Sequence, residues 1–222
     1  MTANTVPQPE GTASVAIDIA LEPDATMVRR AQSDNARLLK AFSRGFSLDA
    51  THHAHVSVLQ SYVTTSALEQ IFDVVGKVMA NANPLAWKLT AFRYYYLPGG
   101  PIGLAGIVVR PTAELLALQK ALIEAVAPFT LRTGSAAAFF TTPEEPDINQ
   151  PTIDYIAAYV PKATGAHFNP HVTVGVGTVE YLDQMLAEPF NEFTFSPAGA
   201  SVYQLGNYGT ARKALKVLEL KP

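Results

Sequence analysis

The 222-residue chain contains no cysteine. That absence removes disulfides, thiolate zinc sites, iron–sulfur clusters and cysteine nucleophiles together, and it sets no compartment. Charge is sparse as well. Only 16% of residues are charged, with 16 Lys+Arg against 19 Asp+Glu for a formal net charge of −3. A surface that follows duplex DNA needs clustered Lys and Arg, so that class of partner is excluded. A small phosphorylated ligand or an RNA end is not. No run reaches the roughly 18–20 apolar residues of a bilayer span, so no membrane partner is expected. Residues 1–14 are polar, with Pro7, Pro9 and Gly11. They lack the basic and apolar stretches of a secretion signal and read as a flexible leader. The default location is the cytoplasm, with export after signal removal as the alternative. Neither a Gly-x-Ser-x-Gly elbow nor a Gly-x-Gly-x-x-Gly fingerprint occurs, which leaves serine-hydrolase and dinucleotide-fold readings without support.

What is present is apolar: 48% of residues are hydrophobic. A chain of this length buries roughly 70% of its unfolded surface, ample for one core. Residues 15–222 read as a single domain. Alternating or β-rich runs predict strands over 15–21, 55–63, 87–97, 102–110, 171–176, 192–196, 200–205 and 214–220. Apolar residues at helical spacing predict helices over 25–42, 67–80, 114–126, 152–160 and 179–186. Thr64 to Ser66 offers an N-cap for the second helix. Pro98-Gly99-Gly100-Pro101 makes a hairpin turn between the third and fourth strands. Segment 129–134 reads as loop or short strand, 136–140 as short strand or helix, and 142–151 as turn.

Two tetrapeptides stand out: His55-Val56-Ser57-Val58 and His171-Val172-Thr173-Val174, 116 residues apart. Ser and Thr make up 29 of 222 residues, so five His would give about 0.65 His-x-(Ser/Thr) matches by chance. Two matches, both with Val at the alternate positions and both opening a strand that leads to a helix, are the informative pattern. Each half then continues with two further strands, so the chain reads as an internal pseudo-duplication sharing one core.

On a strand, residues i and i+2 share a face. His55 and Ser57 therefore point one way and Val56 and Val58 the other, and the second motif repeats this. The Val faces need covering helices, and the His and hydroxyl faces are left for a cleft. Two imidazoles suit in-line displacement at phosphorus, one as base on the attacking oxygen and one as acid on the leaving oxygen. The hydroxyls suit the non-bridging oxygens.

The paired motifs resemble those of the 2H phosphoesterase superfamily, the LigT-like or 2′-5′ RNA ligase-like group. The order of elements is compatible over nearly the whole chain, but only the tetrapeptides are diagnostic. The resemblance implies an α+β fold that is bilobal, with pseudo-duplicated antiparallel sheets, helices on the outer faces and a central cleft. It implies metal-independent hydrolysis of a 2′,3′-cyclic phosphate, or cleavage or formation of 2′-5′ phosphodiesters. His55 and His171 would be the acid–base pair, and Ser57 and Thr173 the phosphate binders. No cofactor or metal is implied, and a monomer acting on a small nucleotide-like phosphoester or RNA end is expected. The flank of the second motif, residues 166–170, carries no Arg, which favours a small or unusual phosphoester. The alternative is a nucleotide- or RNA-end-binding protein that uses the same cleft without chemistry.

Other candidates are weaker. His167, Phe168 and Tyr203 are possible substrate contacts, and Tyr155, Tyr159 and Tyr208 could stack on a base. Arg212, Lys213, Lys88 or Arg93 could bring positive charge. His52, His53 and His55 suggest a metal cluster, but an extended chain points His52 away from the other two, and zinc needs three or four convergent ligands. They read better as a loop entering a strand. Asp18, on the first strand, is expected to face water.

Overall fold

The computed structural model describes residues 13–220. Most of the expected leader lies outside the described residues. At its end, Ser14 already opens the first strand, and the Ala13 carbonyl accepts from Thr65 N at 2.9 Å.

The first half of the chain runs β1 (Ser14–Pro23), α1 (Ala25–Ala41), β2 (Val56–Thr64), α2 (Leu68–Ala82) and β3 (Leu89–Gly99). The second begins with β4 (Ile102–Val109) and α3 (Ala113–Val126). A two-residue strand β5 (Thr130–Leu131) and the short helices α4 (Gln150–Ala157) and α5 (Tyr159–Lys162) follow. Then come β6 (His171–Thr178), α6 (Val179–Ala187), β7 (Phe193–Phe195), β8 (Pro197–Leu205) and β9 (Ala211–Val217). The 152–160 segment is thus two short helices, and 136–138 is a single 3-10 turn.

Local chemistry starts most of the helices. Asp24 caps α1 by accepting from the amides of Thr26 and Met27, and Thr112 and Thr178 cap α3 and α6 in the same way. The expected side-chain cap of α2 is replaced by a 3-10 turn, Thr65–Ala67. Asn83, in the left-handed region at φ 47°, closes α2.

The strands form one antiparallel sheet in the order β7-β3-β4-β6-β2-β1-β8-β9, with β5 beside β2. The sheet is pinched in the middle. β2 and β6 pair at one position, Val56 opposite Val172. Two lobes meet there, β1-β2-β8-β9 on one side and β3-β4-β6-β7 on the other. The fold is α+β and bilobal, and its two repeats exchange parts. Strand β3 of the first half pairs with β4 and lies in the lobe of β6, while β8 of the second half pairs with β1. Helix α1 packs on β6 and α3 on β2, each covering the motif strand of the other repeat. One core runs through both lobes and takes in Val56, Val58, Val172 and Val174, all fully buried. Burying such a side chain contributes roughly 1.5–3 kcal/mol.

Both motif strands carry a bulge at the same place. The β1–β2 register passes from Leu59 to Ser57 and the β4–β6 register from Gly175 to Thr173, so Val58 and Val174 are the extra residues. A bulge leaves ladder groups unpaired, and buried carbonyls need donors. Gln119 Nε2 on α3 donates to Val58 O (3.1 Å), and Asn35 Nδ2 on α1 donates to Val174 O (2.9 Å). Gly175 follows the second bulge at φ +141°, and a Cβ there would stand 3.0 Å from Asn35 Nδ2.

Candidate active site

The two motifs open onto one cavity of about 500 Å³. His55, Ser57, His171 and Thr173 all line it. The bulges add one more position from each strand. After Val58 and Val174 the alternation shifts, so Gln60 and Val176, each three residues past the hydroxyl residue, also reach the cavity.

The two imidazoles are anchored alike. His55 Nδ1 lies 2.7 Å from His53 O, and His171 Nδ1 lies 2.8 Å from Asn169 O. A carbonyl can only accept, so each Nδ1 carries a proton and each Nε2 is left for chemistry.

At Nε2 the two differ. His55 Nε2 lies 3.2 Å from Asp18 Oδ2, another acceptor. Acceptors at both nitrogens favour the protonated ring. Burial opposes that charge, but the Asp18 hydrogen bond and charge outweigh it and hold the pKa above the ordinary histidine value. His171 Nε2 lies 2.9 Å from the hydroxyl of Tyr95. The neutral ring accepts that O–H. Burial first, with the nearby His55 charge also acting against a second cation, pushes His171 down to about 4. Burial likewise pushes the Tyr95 phenol up, which keeps it a donor. Tyr95 reaches the imidazole because Gly106 lies opposite it in the ladder, where a Cβ would sit 2.7 Å from the Tyr95 ring and 3.1 Å from that of His171.

Asp18 corrects the expectation of a water-facing carboxylate. It is wholly buried at the centre of β1. Its Oδ2 accepts from Ser57 Oγ (2.5 Å) and Gln60 Nε2 (2.8 Å) as well as facing His55. Asp18, Gln60 and Tyr95 are the site residues that sequence reasoning missed. Strict alternation conceals Gln60 behind a bulge. Tyr95 sits in a run of three tyrosines that alternation divides between two faces without showing which face meets the cavity.

His167 and Phe168 line the cavity, as do Tyr155, Tyr159 and Tyr208. Tyr208 holds a left-handed conformation at φ 59°, with its amide donating to Thr152 Oγ1 at 3.0 Å. Strain of this kind is kept only where surrounding contacts impose it. Tyr203 is a correction: it is buried behind the cavity wall, its hydroxyl donates to Glu22 Oε1 at 2.6 Å, and its ring lies against His53. Lys88, Arg93, Arg212 and Lys213 do not line the cavity, and Arg212 pairs with Glu145. Lys162 is the only Lys or Arg lining it among the described residues. His52 stacks on Phe46 and lies 3.3 Å from Glu145. Among the described residues no group of three or more His, Asp or Glu is placed to hold a metal ion, and no helix is long and apolar enough to cross a membrane.

Fold and site together define a class: an α+β protein of two exchanged lobes whose matched His-x-(Ser/Thr) strands share one cavity. No family model and no curated protein matches the chain. Solved structures do. Crystallised E. coli LigT complexed with NADP+ is 12% identical, with a TM-score of 0.48 over 95% of this chain and 100% of that one. TT0787 of Thermus thermophilus is 13% identical, with a TM-score of 0.49 over 93% and 98%. A structure described as a phosphoesterase is 13% identical, with a TM-score of 0.47 over 94% and 99%. Likenesses this distant do not speak to substrate or mechanism, and the functional reading stands on the geometry of the site.

Proposed function

We propose that the protein is a metal-independent phosphodiesterase acting on a 2′,3′-cyclic or 2′-5′ nucleotide phosphoester. The observation that carries this is the pair of imidazoles, anchored identically at Nδ1 and facing opposite partners at Nε2. In hydrolysis of a cyclic phosphate, His171 Nε2 takes a proton from water as its oxygen bonds to phosphorus. The bond from phosphorus to the 3′-oxygen breaks, and His55 Nε2 protonates that oxygen. A 2′-phosphate leaves, and solvent restores both rings. Thr173 serves the non-bridging oxygens, Ser57 joins it when its hydroxyl turns from Asp18 to the phosphate, and the aromatic walls, with His167 and Phe168 among them, serve the base. A cavity of about 500 Å³ suits a drug-sized ligand, so a mononucleotide is favoured over a long RNA.

The test is turnover of the four nucleoside 2′,3′-cyclic monophosphates in excess EDTA by wild type, His55→Ala and His171→Ala. Each substitution should lower turnover by at least about a hundredfold, the usual scale for a general acid or base. A double variant as active as wild type would sink the reading.

One observation favours the second reading, a binding protein without chemistry. Ser57 and His55 already share Asp18 as acceptor, so the first motif's donors are engaged inside the protein. On that reading calorimetry finds saturable nucleotide binding, while no cyclic or 2′-5′ substrate turns over.

A further inference from the structure

We infer that Asp18 is a positioning residue of this site, which holds His55 in the charged state and so fixes the direction in which the two histidines move protons. The inference rests on the two-histidine reading, and it goes beyond the motifs because Asp18 lies outside both.

The geometry leaves Asp18 no neutral part to play. It sits in the middle strand of its lobe, opposite Gln60 on β2 and Tyr203 on β8. It has no exposed surface, and its Oδ1 has no hydrogen-bond partner. A carboxylate so placed is costly unless donors converge on it. Two donate to Oδ2, the Ser57 hydroxyl and the Gln60 amide, and His55 Nε2 lies 3.2 Å from the same oxygen. Ser57 and His55 are the functional pair of the first motif. The second motif has no counterpart: Nε2 of His171 meets a phenol, Tyr95, which has a proton to give. Remove the Asp18 charge and both imidazoles, His55 buried and His171 half-buried, keep Nδ1 on a carbonyl, so loss of solvent favours the neutral ring in both. The site would then hold two bases and no acid.

The groups facing His55 are few. Asp18 and Glu22 come from β1, Tyr203 from β8 at 6.4 Å between rings, His53 from the loop before β2, and His171 from β6 across the pinch. Tyr155 on α4 and Tyr159 on α5 feel the Asp18 charge from the far wall. Of all these, Asp18 alone is a carboxylate at hydrogen-bond distance from the ring.

The experiment is the titration of the His55 ring nitrogens by long-range proton–nitrogen correlation NMR between pH 4 and 9, in wild type and Asp18→Asn. The amide keeps the shape and an acceptor for Ser57 while losing the charge. In wild type both ring nitrogens should be protonated at pH 7. In Asp18→Asn the midpoint should fall by at least one pH unit, a tenfold loss in proton affinity, and the basic limb of the turnover profile should fall with it. A neutral His55 ring in wild type at pH 7, or a midpoint that moves by less than half a unit, overturns the inference. If Asp18→Asn does not fold, judged by circular dichroism, the wild-type spectrum decides alone. The titration needs no substrate, so the inference and the two-histidine reading fail separately. Turnover lost in both His variants with an unmoved His55 midpoint removes Asp18 only.

Discussion

The two halves of the site share a frame and differ in chemistry. In each, a histidine is pinned through Nδ1 to the carbonyl two residues before it. In each, the second Val of the motif is a bulge whose carbonyl is taken by a buried amide from the helix of the opposite repeat. Past that frame the likeness ends. One imidazole faces a buried carboxylate and the other a phenol. A duplicated frame gives two equivalent rings, and neighbours outside the motifs give them different settings, a carboxylate for one and a phenol for the other. The difference lies in Asp18 on β1 and Tyr95 on β3, neither of which the motif pattern singles out.

The frame itself is where the comparison can be broken hardest. Asn35 joins three backbone groups: its Nδ2 donates to Val174 O and Phe46 O, and its Oδ1 accepts from Leu48 N, all at 2.9 Å. Gln119 joins two, donating to Val58 O and accepting from Gly165 N at 3.0 Å. Each therefore ties the bulge of one motif to the loop that leads into the other. An apolar replacement strands these groups at about 1–3 kcal/mol each, moderated where the loop admits water. Asn35→Leu should cost about 4 kcal/mol and Gln119→Met about 3 kcal/mol, read from urea unfolding. A cost below about 1 kcal/mol for either would mean that its amide is a bystander.

Acid should distinguish the two histidines next. His171 is depressed to about 4 in the folded protein against about 6.5 unfolded. The unfolded chain therefore binds more protons between those values, and stability falls as pH falls from 6.5 to about 4. His52, also held near 4 chiefly by burial with the Arg212 charge added, acts in the same window and the same direction. His55 has the opposite sign. Its raised folded pKa gives stability that is complete below 6.5 and is lost as pH rises through the folded value. Discounted for its partial exposure, His171 should account for about 2 kcal/mol of acid loss. Unfolding midpoints at pH 7.5, 5 and 4 should show a shallower decline in His171→Gln than in wild type. A decline unchanged in both His171→Gln and His52→Gln would contradict the buried neutral rings.

The legible part of this molecule was its repeated part. Period-two alternation around His55 and His171 identified the faces, the covered Val side and the residues that line the cavity. Three things escaped for physical reasons. A bulge adds one residue to the period, so Gln60 looks as if it turns away from the cavity. The β3–β4 hairpin is legible from its turn, but the placing of β8 beside β1 and of that hairpin beside β6 is long-range pairing that no local pattern encodes. Asp18 stands between Ile17 and Ile19 with Ala16 and Ala20 beyond, and a lone carboxylate in an alternating strand ordinarily marks the wet face. Here it marks the floor of the site, because β1 is a middle strand and its donors come from neighbours 39 and 42 residues away.

Tyr95 gives the finest test of the comparison. Its hydroxyl occupies the lone pair of His171 Nε2, and a base must release that lone pair before it can take a proton from water. If Tyr95 only shelters the ring, Tyr95→Phe leaves the Asn169 anchor and the burial of His171 in place. Turnover at pH 7 should then change by less than about fivefold, below the scale of a general base, with KM moving no more than kcat. A drop as deep as that of His171→Ala would make the phenol a proton carrier in its own right. The two halves would then differ in mechanism rather than in the setting of a shared imidazole. The expected small effect requires the opposite: Asp18 does far more for its histidine than Tyr95 does, because a charge sets a proton where a phenol only points one.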